Sequence, residues 1–374
     1  MKIAVNISRF LVGALFIFSG LVKAIDPLGL SYKMQEFFEA WAASGFLPQL
    51  MNALHAQSLM FSIIMIALEV VLGIALLIGW RKNFMLTLLL LLTIFFTFLT
   101  GYVLFSGKIR ACGCFGDCIP ITPMQTFTKD IILLILIISL AIGRKYIHPL
   151  FKGFINPLLI LTSLFGVTFL QFYVLKHLPL RDCLPYKKGN DLLELRKMPA
   201  GAIPDEFAYV FVYEKNGEKK DFTMDNLPDS SWNFADRKQT LVKKGNDVVP
   251  LINDFSLVDS SGINVTEDVL GQPGDYYLFF LQNMREGNNR WSTSFDKLLK
   301  KATALKRPVY IITSDKENVN NFFNVVDHQY NVPVLTSDAT AIKTAARANP
   351  TLFVMKGPVV QQKYSWADLD KAVQ

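Results

Sequence analysis

A chain of 374 residues that is 51% hydrophobic, with a mean hydropathy of +0.31, is too apolar for an ordinary water-soluble protein. The apolar residues are concentrated before Lys176, and charges and turn residues are scattered through the rest. The net charge of +7 calls for no nucleic-acid partner, because much of it lies in loops where lysine and arginine set membrane orientation.

Five runs approach or reach the ~20 apolar residues needed to cross a bilayer. They are Phe10–Ile25, Leu59–Gly79, Phe84–Phe105, Phe127–Ile142 and Pro157–Leu175. A cleaved signal peptide is the alternative for the first run, but "SGLVKAIDP" lacks a small-x-small cleavage pattern. Lys2 and Arg9, then Arg81 and Lys82, then Arg144, Lys145 and Lys152 fall on one side if the N-terminus is cytoplasmic. Lys33, Lys108, Arg110 and Lys129 lie on the other side, so the bias is a preference. This reading predicts a bacterial inner-membrane protein with five transmembrane helices, a cytoplasmic N-terminus and a periplasmic C-terminal half.

Ionisable residues inside spans are expensive and are functional candidates by default. Lys23 lies near the outer end of the first span, followed by Asp26 and Pro27. Glu69 lies near the middle of the second, in "MIALEVVLGIALL". At 1.5 Å rise per residue their depths differ by roughly 10 Å, near the reach of two long side chains. Glu69 is also open to a plainer role, as a neutral acid hydrogen-bonded between helices. Between these spans, "YKMQEFFEAWAASGFLPQLMNAL" predicts one or two interfacial helices over the outer mouth of the bundle.

The loop after the third span, "IRACGCFGDCIP", holds Cys112, Cys114 and Cys118; Cys183, beyond the fifth span, is the only other cysteine. All four fall on the same, outward side, where disulfides persist. Four cysteines allow three full pairings. A Cys112–Cys114 bond closes a tight, reducible ring, whereas Cys118 offers less strained partners. Arg110 favours a thiolate and Asp117, beside Cys118, disfavours one, so Cys112 or Cys114 is the better candidate nucleophile. A structural staple and thiol–disulfide exchange both remain open. Metal is the weakest reading, since C-x-C-x3-C is not a usual zinc spacing and no histidine adjoins it.

"RFLVGALFIFSGLVKAIDPLG", with Ser19–Gly20, Lys23 and Asp26–Pro27, resembles the opening helix of DoxX-type membrane proteins. "ACGCFGD", followed by a Pro/Thr segment and another helix, resembles the related MauE branch associated with thiol redox. The resemblance covers about residues 1–150. It implies a four-helix bundle handling thiol–disulfide electron flow outside the cytoplasm, with quinone as a candidate cofactor. It carries over to Lys23, Asp26, Cys112 and Cys114, and with less support to Cys118.

Residues 151–180 supply the fifth helix. Residues 181–253 read as a small β-rich connector, with Asn216–Gly217 between two alternating runs as a hairpin signal. From 254 to 374 the order is a short hairpin, the buried strand "DYYLFFLQ", a helix, the strand "PVYIITS", further helices and a terminal strand pair. That order resembles a thioredoxin-like domain of the TlpA/ResA type, with Asn349–Pro350–Thr351 at the family's cis-proline position. Where the family carries C-x-x-C, this chain has "NMREGNNRWSTSF", so the domain has no thiol to exchange. The resemblance implies a peptide groove beside Pro350.

The expected architecture is therefore an α-helical membrane bundle, a DoxX-like four-helix core plus a fifth helix, bearing a C-terminal thioredoxin-like α/β domain. The leading functional expectation is a thiol–disulfide oxidoreductase. Cys112, Cys114 and Cys118 form its reactive loop, Cys183 resolves, and Glu69, Lys23 and Asp26 form a proton relay or polar site. Its partners are extracytoplasmic proteins, either thiol clients or subunits of a membrane complex, and the lipid bilayer. The rival expectation is a non-enzymatic assembly or binding protein whose outer domain docks partners.

Overall fold

The computed structural model describes residues 2–374 apart from 107–108, 110–115, 120, 204–205, 216–217, 225, 244, 247, 283, 285–290 and 326–329, and apart from the side chains of 117, 237, 239 and 241. Among the described residues, five helices are long and apolar enough to cross a membrane: α1 (Lys2–Ala24), α4 (Ser58–Ile78), α5 (Lys82–Ser106), α6 (Pro123–Ile142) and α7 (Ile155–His177). All five expected spans are present. The first begins eight residues earlier than hydropathy suggests, because Arg9 is held inside the protein. Its guanidinium donates to the carbonyls of Leu76 (2.8 Å) and Leu77 (2.6 Å) in the last turn of α4 and to that of His148 (3.2 Å).

The face of α1 that turns inward carries Val5, Arg9, Val12, Phe16, Ser19 and Lys23, at the three- and four-residue spacing of one helical stripe. It packs on α4 at a very short distance. A methyl group on Gly73 would stand 2.8 Å from the Gly13 carbonyl oxygen, and one on Gly20 would stand 2.6 Å from the Val70 side chain. With no hydrophobic drive between helices in lipid, such small-residue contacts let backbones approach and dispersion hold them. The outer helix α7 touches α4, where the buried Gln171 amide donates to the Ile63 carbonyl at 3.4 Å.

Two further helices, α2 (Pro27–Ala43) and α3 (Pro48–Ala56), occupy the stretch expected to be interfacial. Asp26 starts α2: its carboxylate accepts from the Gly29 amide at 3.3 Å, and Pro27 fills the first helical position, where no N–H is missed. Met34, Phe37 and Phe38 of α2 pack with Met51 of α3 and with Leu99 and Val103 of α5.

After α7 come the short helix α8 (Leu192–Arg196) and a three-stranded antiparallel sheet, in order β2–β1–β3, of β1 (Glu206–Lys215), β2 (Glu218–Thr223) and β3 (Asn233–Lys243). The expected turn residues Asn216 and Gly217 lie outside the described residues; on either side of them Lys215 pairs with Glu218.

The second sheet is mixed and five-stranded, in order β6–β5–β4–β7–β8. Its strands are β4 (Asp275–Phe280), β5 (Val309–Thr313), β6 (Val334–Thr336), β7 (Thr351–Lys356) and β8 (Val359–Ser365). The continuous apolar run of β4 follows from cover on both faces. Tyr276, Leu278 and Phe280 pack on one side with α9 (Thr266–Gly271) and α12 (Ala339–Ala345). Tyr277 and Phe279 pack on the other with Trp291 and with Phe295 of α10 (Ser292–Ala304). The first face also takes in Tyr186, Leu192 and Ile252, so its packing unit draws on residues before 254. Two short helices, α11 (Lys316–Asn320) and α13 (Leu369–Val373), complete it.

A Gly73→Ala substitution should destabilise the purified protein by about 1–3 kcal/mol, because the methyl meets fixed backbone. Gly166→Ala, where a methyl meets nothing within 4 Å, should leave the thermal midpoint unchanged. Equal midpoints for the two variants would show that α1 and α4 have room to spare.

Candidate functional site

Cys118 ends a single 3-10 turn, Gly116–Cys118, entered through Gly116 at φ +58°, a conformation that side chains disfavour. Cys183 follows the end of α7. The two are joined in a disulfide with their Cα atoms 4.9 Å apart, across 65 residues of sequence. Arg110, Cys112, Cys114 and the side chain of Asp117 lie outside the described residues.

A cavity of about 40 Å³ opens beside the disulfide, lined among others by Lys23, Asp26, Arg181 and Asp182 as well as the two cysteines. That is room for little more than water. Both carboxylates are paired with cations from the five-stranded sheet unit. Asp26 accepts from Arg347 Nε at 3.0 Å, and Asp182 from Lys363 Nζ at 2.7 Å. The bundle and the sheet unit therefore meet at the sulfur pair.

Lys23 links this cavity to the interior of the bundle. Its ammonium lies 2.5 Å from Glu69 Oε1 and donates to Ser19 Oγ at 3.1 Å, while Ser19 donates to Glu69 Oε2 at 3.1 Å. The ring of Phe96 covers it at 4.9 Å. The two side chains are 5% and 2% exposed, so neither charge is solvated by bulk water. The close approach of α1 and α4 brings together the two residues whose depths sequence reasoning put near the limit of contact.

A second, smaller cavity of about 20 Å³ touches Lys23, Glu69, Thr93 and Asp130. Asp130, on α6, is almost fully buried, accepts from the Thr100 hydroxyl at 3.0 Å and contacts Lys129. Sequence reasoning did not single out Asp130. A carboxylate inside a window that spans the membrane was the available signal.

Pro350 follows a cis peptide bond after Asn349. The surface around it is turned to α2. Gln282 donates its backbone N–H to Asn349 Oδ1 and its side-chain amide to Ala346 O and, at 3.4 Å, to the Tyr32 hydroxyl. Lys343 and Arg347 lie over the Tyr32 ring, and Lys343 donates to Gln35. Lys343 and Arg347, a few residues before Pro350, thus meet this chain's own α2.

On another side, α2 to α5 enclose an apolar groove of about 880 Å³ with Phe38, Trp41, Phe61, Phe98 and Tyr102 in its wall.

Removing one member of the buried pair should cost far more than removing both. Lys23→Met should destabilise the protein by about 3–5 kcal/mol by stranding Glu69, and Lys23→Met/Glu69→Leu should recover most of that in unfolding measurements. If the double variant is no more stable than the single, the two charges do not depend on each other.

Residues 1–143 match the family model described as Methylamine utilisation protein MauE. Residues 207–244, the three-stranded sheet, match a domain of unknown function, DUF8463. Among characterised proteins, Protein TlpB of Flavobacterium psychrophilum is 37% identical over 91 residues, 21% of this chain and 23% of that protein. The chain thus spans less than a quarter of the length of this relative. No solved structure matches. The chain is a membrane protein, and its residues 1–143 carry a membrane domain similar to MauE.

Proposed function

We propose that this protein is a thiol–disulfide relay of the bacterial inner membrane, acting on protein thiols outside the cytoplasm. The observation that carries the reading is the Cys118–Cys183 disulfide beside a cavity that also holds Lys23, whose ammonium is bonded to the buried Glu69. The basic residues Arg9, Arg81, Lys82, Arg144 and Lys145 gather at the opposite end of the bundle, which supports a cytoplasmic face there and an oxidising one at the sulfurs. The order and pairing of the five strands support reading the outer unit as a thioredoxin-like domain without thiols of its own.

In the exchange, a client thiolate attacks one sulfur of the Cys118–Cys183 pair. The S–S bond breaks, its electron pair leaves on the other sulfur as a thiolate, and a mixed disulfide links client and relay. A second client thiol then attacks that mixed bond, so the client departs oxidised and the pair is left as two thiols. Lys23 stabilises the developing thiolate, and Glu69 accepts or returns the proton that accompanies it. Cys112 and Cys114, as a disulfide, reoxidise the pair by the same exchange, which moves the two electrons into the loop. Run backwards, every step reduces a client.

The loop in turn needs a two-electron partner. The groove walled by Trp41, Phe61, Phe98 and Tyr102 fits a flat aromatic head with an apolar tail, as a membrane quinone has. A bound quinone would supply two-electron chemistry, and these residues would hold it.

Replacing Cys183 with serine in intact cells should leave Cys118 to hold a client as a mixed disulfide, visible as a heavier species that a reductant dissolves. The double Cys112→Ser/Cys114→Ser variant should keep the Cys118–Cys183 bond yet lose turnover. Full function in both variants, with no captured species, would reduce the disulfide to a staple and leave the assembly-protein reading.

A further inference from the structure

The sheet unit supplies no thiol, since residues 184–374 contain no cysteine, yet two of its cations pair with carboxylates that line the cavity beside the disulfide. Asp26 and Asp182 line the cavity beside the disulfide, and Asp182 is the immediate neighbour of Cys183. A carboxylate in that position works against a thiolate. Each carboxylate receives a cation from far along the chain: Arg347 is 321 positions from Asp26, and Lys363 is 181 positions from Asp182.

Lys363 is built into place. Its side chain is 8% exposed, its ammonium also donates to the Ala345 carbonyl at 3.1 Å, and it lies over the Phe353 ring at 4.7 Å. Arg347 is equally enclosed, with a side chain 5% exposed and a bond to the Lys343 carbonyl. Burial draws the Lys363 ammonium below its usual range while Asp182 pulls it back up, so cation and carboxylate depend on each other.

We propose that the cysteine-free sheet unit is the electrostatic half of the disulfide site, with Lys363 and Arg347 as positioning residues that neutralise Asp182 and Asp26 and so set the reduction potential of the Cys118–Cys183 bond. The proposal rests on the relay reading for its purpose but not for its measurement. The half-reaction is the disulfide plus two electrons and two protons giving two thiols. With Asp182 neutralised, the thiolate of the reduced pair is favoured and the disulfide is easier to reduce. With Asp182 left bare, the thiolate is disfavoured and the disulfide is harder to reduce.

The test uses the full-length protein in nanodiscs, in a Cys112→Ser/Cys114→Ser background so that one pair titrates. It is equilibrated against mixtures of dithiothreitol and its cyclic disulfide at pH 8.5, near the ordinary thiol pKa of about 8.5. Reduced and oxidised forms are separated by a maleimide mass tag. Lys363→Met should shift the equilibrium about tenfold toward the disulfide, about 30 mV in potential. Asp182→Asn should shift it the other way, and Lys363→Met/Asp182→Asn should return to within about threefold of the parent. A purely structural ion pair predicts that both single variants move the same way, and that result, or no movement in either, overturns the proposal. If Lys363→Met does not assemble, Asp182→Asn decides alone by its sign, since asparagine keeps the shape of the side chain and an oxygen that can still accept from Lys363. Because no client enters the measurement, a failure to capture clients in cells would sink the relay while leaving this result standing.

Discussion

Lys23 and Glu69 meet where neither has meaningful access to water, and neither charge is tolerable there alone. The pair therefore fixes how α1 and α4 are rotated and how deep each sits. The glycines at 13, 20 and 73 serve the same contact, since they let two backbones come close enough for the side chains to touch. Everything nearer the sulfurs is arranged from that point. One turn beyond Lys23, Asp26 opens α2, and α2 is the surface on which the sheet unit rests.

The chain of charges continues outward with alternating sign. Glu69 and Lys23 lie in the bundle, Asp26 and Arg347 at the seam, and Asp182, next to Cys183 in sequence, pairs with Lys363. Each of these carboxylates has a cation within hydrogen-bond distance, and Arg181 adds a further positive charge to the lining of the cavity beside the sulfur pair. A further contact, His177 Nδ1 to Asp368 Oδ2 at 2.8 Å, joins the end of α7 to the turn after β8. The sheet unit is thus held at several points around the cysteines.

Much of this was legible in the chain, and the boundary of legibility has a physical basis. Five spans announced themselves because lipid demands long apolar runs, and β4 did so because a strand covered on both faces cannot alternate. Lys23 and Glu69 stood out as charges in apolar surroundings. Arg9 did not, since an arginine near a terminus looks like the end of a helix until its carbonyl partners are known. Asp130 was hidden by its neighbour Lys129, which makes the pair resemble an ordinary interfacial doublet. The docking of Arg347 on Asp26 could not be read at all. A single basic residue after a short helix has no local pattern, and its partner is more than 300 positions away.

The 65 residues between Cys118 and Cys183 also have a consequence for how the protein is made. At a synthesis rate of about 5–20 residues per second, Cys118 precedes its partner by roughly 3–13 s. Throughout that interval the thiols within reach are Cys112 and Cys114, six and four residues upstream. The bond found in the finished protein becomes available only once α7 has been made. A nascent chain in which Cys118 had already bonded to Cys112 or Cys114 would have to exchange that partner for Cys183 to reach the pairing of the finished protein.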